Sequence, residues 1–307
     1  MSMAVAEIPA REAKDVANLF TGTEGIYLLP HHAKEIERLR EQHALILFST
    51  GNVLVTAPLR QPKIRVLDCG ASEGTWLLDL PRLYPQHEWS LHGVDIGSSL
   101  FPPKVGPCAA LDLREFDIRS PTPPDPSWTQ GFDLVHQRLL MWGLQKSEWA
   151  TVVKNHFSLV KSGGWIQLVE GQWVDRDHPF DPVTHPNLDK MYRMQWWCTE
   201  NFGMDMFIGY RLEDLLEEAG FKNVQKTQYT LGYGALAKSP EWKKRSVDMW
   251  VHTFRGLGAL LPKGGIPGVL KDKAEFDQLM IDLHKETLEL GYAPKMNFVI
   301  GQRPEES

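Results

Sequence analysis

Positions Ala33, Ile36, Leu39, His43, Ile46 and Leu47 recur at three- and four-residue spacing through residues 31–49. That period lays a single stripe along an amphipathic helix. Pro30 suits its first turn and Gly51 its C-terminal cap. Residues 1–20 are polar and mixed and read as a loosely held arm. No strand pattern precedes residue 64, so this helix is an addition ahead of a sheet.

From residue 64 the rhythm changes to short apolar runs separated by turns and helical stretches. Strands are expected at 64–67, 89–94, 110–116, 132–136, 165–169, 224–231 and 296–301. Helices are expected at 75–84, stopped by Pro85, at 149–159 and at 212–219. Residues 120–128 form a proline-rich loop, and Gly163-Gly164 reads as a turn. Residues 171–210 interrupt the alternation. After 231 comes a long helical segment with a Gly/Pro-rich break at 261–268. Strands alternating with helices predict an α/β fold, a mostly parallel seven-stranded sheet with helices on both faces. We expect an N-terminal arm and helical cap over 1–60 and one domain over 61–307, with substrate-lid insertions at about 171–210 and 240–290.

Composition narrows the function classes. The 307 residues are 42% hydrophobic and 23% charged, enough for a sizeable core. No apolar run reaches the roughly 20 residues that span a bilayer, and the N-terminus lacks a secretory pattern, so no membrane partner is expected. Cys69, Cys108 and Cys198 are far apart with no CxxC pairing, which predicts a reducing, cytoplasmic setting without a zinc cluster. A net charge of -6 without a long basic run weighs against nucleic acid.

The chemistry starts at residues 66–75, VLDCGASEGT, a glycine-rich turn after a buried strand. Such a turn lets backbone approach a ligand at the carboxyl end of a strand. The dinucleotide fingerprint would place glycines at 70, 72 and 75, but 72 and 75 are Ser72 and Thr75. Gly93-Val94-Asp95-Ile96 ends the next strand with an acid able to accept from both ribose hydroxyls. Phe116-Asp117-Ile118 ends the third, Gly131-Phe132-Asp133-Leu134-Val135-His136 forms the fourth, and Lys161-Ser162-Gly163-Gly164-Trp165 leads into the fifth. Asp95 and Asp117 also read as ordinary capping residues when each is taken alone.

In that order these segments resemble the class I S-adenosylmethionine-dependent methyltransferases, whose Rossmann-like fold carries an (D/E)xGxGxG loop; here Ser72 takes the middle glycine's place. The resemblance covers residues 64–235 and the last strand. It implies S-adenosyl-L-methionine as cofactor, with Asp68, Gly70, Ser72, Gly74, Asp95, Ile96, Asp117, Ile118, His136 and Gln137 around it and Asp117 beside the adenine amino group. Tyr27-Leu28-Leu29-Pro30, Glu35, Arg38-Leu39, Gln42-His43 and the Val135-His136-Gln137-Arg138-Leu139-Leu140 run resemble a narrower group, the fungal LaeA-like methyltransferases of secondary metabolism. That likeness implies a helical cap over the cofactor with Tyr27 near its methionine end; Tyr27 equally suits an anchoring core position.

Methyl transfer from a sulfonium needs the acceptor held close, aligned and dry, and a base only where the acceptor must lose a proton. Candidate bases are His136, His178 and His185, the last two also readable as surface or capping residues. Asp177, Asp181, His178 and His185 match no recognised metal spacing, so no metal is expected. Candidate acceptor contacts are Arg138 and, after the fifth strand, Glu170, Trp173, Tyr192, Trp196 and Trp197. Residues 191–210, rich in Met and aromatics, read either as ordinary core or as the wall of an apolar substrate chamber. The leading expectation is O- or N-methylation of a hydrophobic, aromatic small molecule. The alternatives are a cofactor-binding regulator that works through protein partners, and non-methyl chemistry helped by the bound sulfonium.

Overall fold

A computed structural model describes residues 35–305. Tyr27, Pro30 and the arm before them lie outside the described residues. The chain order is α1 (Glu35–Thr50), β1 (Lys63–Cys69), α2 (Thr75–Leu83), β2 (Glu88–Asp95), β3 (Leu111–Glu115), β4 (Phe132–Arg138), α3 (Trp149–Leu159), β5 (Val160–Gln172), α4 (Pro186–Phe202), α5 (Leu212–Glu218), β6 (Lys222–Thr230), α6 (Pro240–Arg255), α7 (Lys273–Leu290) and β7 (Lys295–Gln302). One seven-stranded sheet runs β3-β2-β1-β4-β5-β7-β6. Every pairing is parallel except those of β7, which is antiparallel to both β5 and β6.

Period-two alternation sorts the strand residues into two cores. Val66, Leu91 and Leu134 face Trp76, Leu77 and Leu80 of α2 and Leu47 of α1. Leu67, Val135 and Ile166 face Trp149, Val152 and Val153 of α3 and Leu212, Leu215 and Leu216 of α5. Helices therefore cover both faces, as the sequence predicts.

Two local expectations change. The Gly163-Gly164 pair is not a turn between elements, because β5 already begins at Val160, directly after α3. The strand absorbs the pair through a register shift against β4, where Val160 opposes Phe132 and Trp165 opposes Leu134. The segment after 231 resolves into α6 and α7, with the Gly/Pro-rich break between them.

The helical additions sit together. Arg38 of α1 reaches Thr253 of α6 at 3.4 Å, and Arg245 of α6 pairs with Glu41 of α1. Asn187 and Leu188 at the start of α4 donate their backbone N–H groups to Glu286 of α7 at 2.9 and 3.0 Å. No helix among the described residues is long and apolar enough to cross a membrane.

Candidate active site

A cavity opens at the carboxyl ends of β1, β2 and β4, beneath α1, and holds about 1260 Å³ of empty space including its mouth. Its floor is the glycine-rich turn. Gly70 and Ala71 donate their N–H groups to the carbonyl of Val94 at 2.8 and 2.9 Å, which ties the turn to β2. Ser72 sits in the left-handed region at φ 50, a strained setting for a residue with a side chain. Its N–H is held by Asp95 Oδ2 at 2.8 Å, while Asp95 Oδ1 accepts from Ile96 N–H at 2.8 Å. The carboxylate at the end of β2 is thus aimed by the loop it helps to shape.

Asp68 and His136 oppose each other in the β1–β4 register. Asp68 Oδ1 lies 2.7 Å from His136 Nδ1, both side chains are buried, and the imidazole stacks on Trp76 at 3.8 Å and 1°. Burial pulls the His136 pKa down, outweighing the raising effect of Asp68, so the ring is neutral. A neutral ring that donates Nδ1–H to Asp68 leaves Nε2 as an acceptor, and Nε2 is buried with no partner.

Arg138, the last residue of β4, lines the same cavity. Burial lowers its pKa to about 10, which still leaves a cation at neutral pH. It donates to His43 Nδ1 at 3.0 Å, and His43 Nε2 lies 3.0 Å from Asp79 of α2. Burial, then Arg138, lowers His43 to about 4, consistent with a neutral ring between cation and carboxylate. Arg40 of α1 makes a two-pronged bond with Glu73 of the glycine-rich turn, at 2.7 and 2.7 Å. The cap helix is therefore fastened to the turn and to α2.

The residues present fit a sulfonium nucleoside. The buried oxygen of Ser72 Oγ and the nitrogen of His136 Nε2 lack partners within the protein. Acceptors (Asp68, His136, Asp95) and cations (Arg38, Arg138) line opposite needs of a ligand bearing ammonium, carboxylate and ribose hydroxyls. Of the sequence-expected cofactor residues, Asp68, Gly70, Ser72, Asp95, Ile96, Asp117, Ile118 and His136 line this cavity. Gly74 and Gln137 do not. Gly74 caps α2 at φ 83, where a Cβ would meet Leu111 at 2.7 Å. Gln137 points to the other face, its Oε1 2.8 Å from His156 Nε2. Asp117 reaches the cavity with its carboxylate already held by Arg119 at 2.7 and 2.8 Å.

A second cavity lies against the first. Arg38, Gln42 and Leu139 line both, so the two meet at α1 and the turn after β4. Its walls are Met141 and Trp142 after β4, Trp173 after β5, Gln195 of α4, Tyr233, and Met249, Trp250 and Phe254 of α6. Gly171 lacks the Cβ that would strike the Trp173 indole. Tyr292 fixes Trp173 by donating its hydroxyl to that residue's carbonyl. Trp250 lies 5.4 Å from Phe254 and 4.8 Å from Tyr292, ring to ring.

At the base of this chamber is Glu170. Its Oε1 accepts from Leu140 N–H at 2.7 Å, its Oε2 has no partner, and burial raises its pKa to about 8. Gln195 Oε1 and Trp250 Nε1 are likewise buried without partners. The chamber thus combines apolar walls with three buried polar atoms that have no partner among the described residues.

The other sequence-expected residues lie elsewhere. His178 is exposed and pairs with Asp175 at 3.5 Å; His185 precedes α4, with Thr184 Oγ1 2.9 Å from its Nδ1. Neither lines either of these two cavities. Tyr192, Trp196 and Trp197 also line neither cavity. Trp196 is 38% exposed and leans on Tyr192 and Phe207, while Trp197 packs edge-on to Phe202. Arg138 and Trp173 do reach the cavities. Among the described residues, no three His, Cys, Asp or Glu side chains are grouped to hold a metal ion. Reading the sequence missed Trp142, Tyr233, Met249 and Trp250. Trp142 follows β4, Tyr233 follows β6, and Met249 and Trp250 share α6, so no local signal joins them.

The chain was compared with known proteins. A family model described as a methyltransferase domain matches residues 34–226. The N-methyltransferase sirN of Leptosphaeria maculans is 31% identical over 291 residues, covering 92% of this chain and 96% of that protein. The N-methyltransferase gliN of Aspergillus fumigatus is 30% identical over 288 residues, covering 92% and 98%. The secondary metabolism regulator laeA of Fusarium oxysporum is 28% identical over 282 residues, covering 87% and 84%.

Proposed function

Because the chain belongs to the methyltransferase-domain family, we propose that it methylates a nitrogen of a hydrophobic small molecule of fungal secondary metabolism. It is an S-adenosyl-L-methionine-dependent methyltransferase. The finer reading rests chiefly on one observation: the cofactor cavity and the aromatic chamber share the wall Arg38, Gln42 and Leu139. The N-methyltransferase relatives, alike over nearly their whole length, support nitrogen as the acceptor atom.

In this reading Asp95 takes the ribose hydroxyls, Ile96, Asp117 and Ile118 flank the adenine, Asp68 and His136 Nε2 receive the ammonium, and Arg38 and Arg138 face the carboxylate. Bound S-adenosyl-L-methionine supplies a methyl group already activated by its sulfonium. The protein's own work is alignment and dryness. Trp142, Trp173 and Trp250 hold the acceptor's ring, and α1 closes over the junction. His136, buried on Trp76 and bonded to Asp68, acts in binding and orientation. In this reading α1 is the cap, and Trp173 and Gln195 of the 171–210 stretch and Met249, Trp250 and Phe254 of the 240–290 stretch supply walls of the acceptor chamber.

The test is incubation with methyl-labelled S-adenosyl-L-methionine and a solvent extract of fungal culture, followed by mass spectrometry of the labelled product. The reading requires a small molecule with the label on nitrogen. Label on oxygen, sulfur or carbon would refute the nitrogen assignment. Tight cofactor binding with no labelled small molecule would favour a regulatory role, the activity named for the laeA relative.

A further inference from the structure

Among the described residues, Glu170 is the one acidic side chain lining the aromatic chamber. It lies near the end of β5, opposite Asn297 of β7, and it is 1% exposed. Leu140 N–H donates to Oε1 at 2.7 Å, and the Met141 backbone also bonds the carboxylate, both opposing the rise in pKa that burial causes. The Leu140 bond also steadies the turn in which Leu139, at φ 56, adopts a left-handed conformation. Leu139 forms part of the wall between the two cavities. The other oxygen, Oε2, is buried and has no partner. A buried carboxyl oxygen left unsatisfied is costly unless something else meets it. Nearby stand two more such atoms, Gln195 Oε1 and Trp250 Nε1.

We propose that Glu170 Oε2 receives the proton of the methyl-accepting nitrogen, and that the acceptor is an uncharged, flat molecule carrying that nitrogen as an N–H group. This rests on the nitrogen-methylation reading above. As the acceptor nitrogen forms its bond to the methyl carbon, the sulfur–carbon bond breaks and its electron pair stays on sulfur. The nitrogen–hydrogen bond pair stays on nitrogen, and the proton passes to the ionised Glu170 carboxylate. Gln195 Oε1 and Trp250 Nε1–H are left to meet polar groups on the acceptor's edge.

The groups facing Glu170 suit this role. From α1 comes Arg38, its guanidinium engaged by Glu35 at 2.6 Å. From α4 comes neutral Gln195, and from α6 Thr253. After β6 comes Tyr233, whose phenol is pushed up by burial and is neutral. Among the described residues, no second carboxylate lines the chamber to share the proton. Burial sets the carboxyl at about 8, against its ordinary 4.5, making it a stronger base once ionised.

Two measurements on the full chain test the proposal. First, dicyclohexylcarbodiimide, which adds to protonated carboxyls in apolar sites, is applied between pH 6 and 9.5 and the adduct mapped by peptide mass spectrometry. Glu170 should be modified near neutrality and progressively less above pH 8. An unmodified Glu170, or modification indifferent to pH, overturns the proposal whatever the enzyme transfers. Second, label transfer into limiting fungal culture extract is followed over the same range for wild type and Glu170→Gln. The amide keeps an acceptor for Leu140 N–H, so the turn should survive, and calorimetric S-adenosyl-L-methionine affinity should stay within about twofold. Wild-type rate should rise about tenfold per pH unit below about 8 and then level. Glu170→Gln should lose about 100-fold or more and that pH limb with it. Equal rates and profiles in the two proteins overturn the proposal. Carbodiimide modification of Glu170 with no transfer by wild type overturns the nitrogen-methylation reading instead.

Discussion

Nδ1 of His136 stands 2.7 Å from Oδ1 of Asp68, across neighbouring strands and out of reach of water. The pair turns the first strand's acid and the fourth strand's imidazole into one acceptor surface beneath the cap helix. Replacing His136 by Ala would leave Asp68 buried without its donor and Trp76 without its stacked partner. A loss of about 2–3 kcal/mol is expected in urea unfolding, because hydrogen bonds to charged groups are worth that much. Cofactor affinity should fall with it. Unchanged stability would contradict the buried-pair account.

Asp95 has two duties, holding Ser72 N–H and presenting its carboxylate to the cavity. Asp95→Ala should weaken S-adenosyl-L-methionine binding by about tenfold to a hundredfold in calorimetry, the value of one charge-assisted contact. Asp95→Asn should fall between. Wild-type affinity in Asp95→Ala would remove the ribose assignment.

Trp250 and Trp196, both in the helical additions, should behave differently. Trp250 lines the acceptor chamber, whereas Trp196 is partly exposed on α4. Trp250→Ala should raise the acceptor KM about tenfold or more while cofactor affinity holds. Trp196→Ala should change neither by more than about twofold. The reverse pattern would move the chamber to the other side of α4.

Stability should depend on pH in a definite window. Burial lowers His43 and His156 from 6.5 to about 4. Between those values the unfolded chain binds protons that the folded chain refuses, so stability is fully present above about 6.5 and is lost as pH falls toward 4. Each pKa unit is worth about 1.4 kcal/mol, so the two histidines together cost a few kcal/mol on acidification. Urea unfolding at pH 7 and pH 4.5 measures this. His156→Gln, which keeps a donor for Gln137 Oε1, should flatten the curve.

The sheet was legible in the sequence because period-two apolar runs and the residues 66–75 turn are local signals. The cofactor cavity followed, since Asp68, Asp95, Asp117 and His136 each lie at or near the carboxyl end of a parallel strand. The acceptor chamber was not legible in the same way. Helical spacing put Tyr192 and Trp196 on one face of α4, and that face turned out to lean on Phe207 and solvent. The chamber's walls, Trp142, Trp173, Tyr233 and Trp250, come from four separate segments, and nothing local in the chain records their meeting. Glu170 was visible as an acid near the end of the fifth strand; its isolation among aromatics is a tertiary fact.

The central claim is that methyl donor and acceptor meet where Arg38, Gln42 and Leu139 line both cavities. Gln42→Trp would fill that junction from α1, leaving Asp68, Asp95 and His136 untouched. Label transfer into the fungal culture extract, measured beside calorimetric S-adenosyl-L-methionine binding, is the direct test. The account predicts transfer reduced by about 100-fold or more at saturating cofactor, with calorimetry establishing that the cofactor is bound. Transfer at the wild-type rate by Gln42→Trp would contradict it.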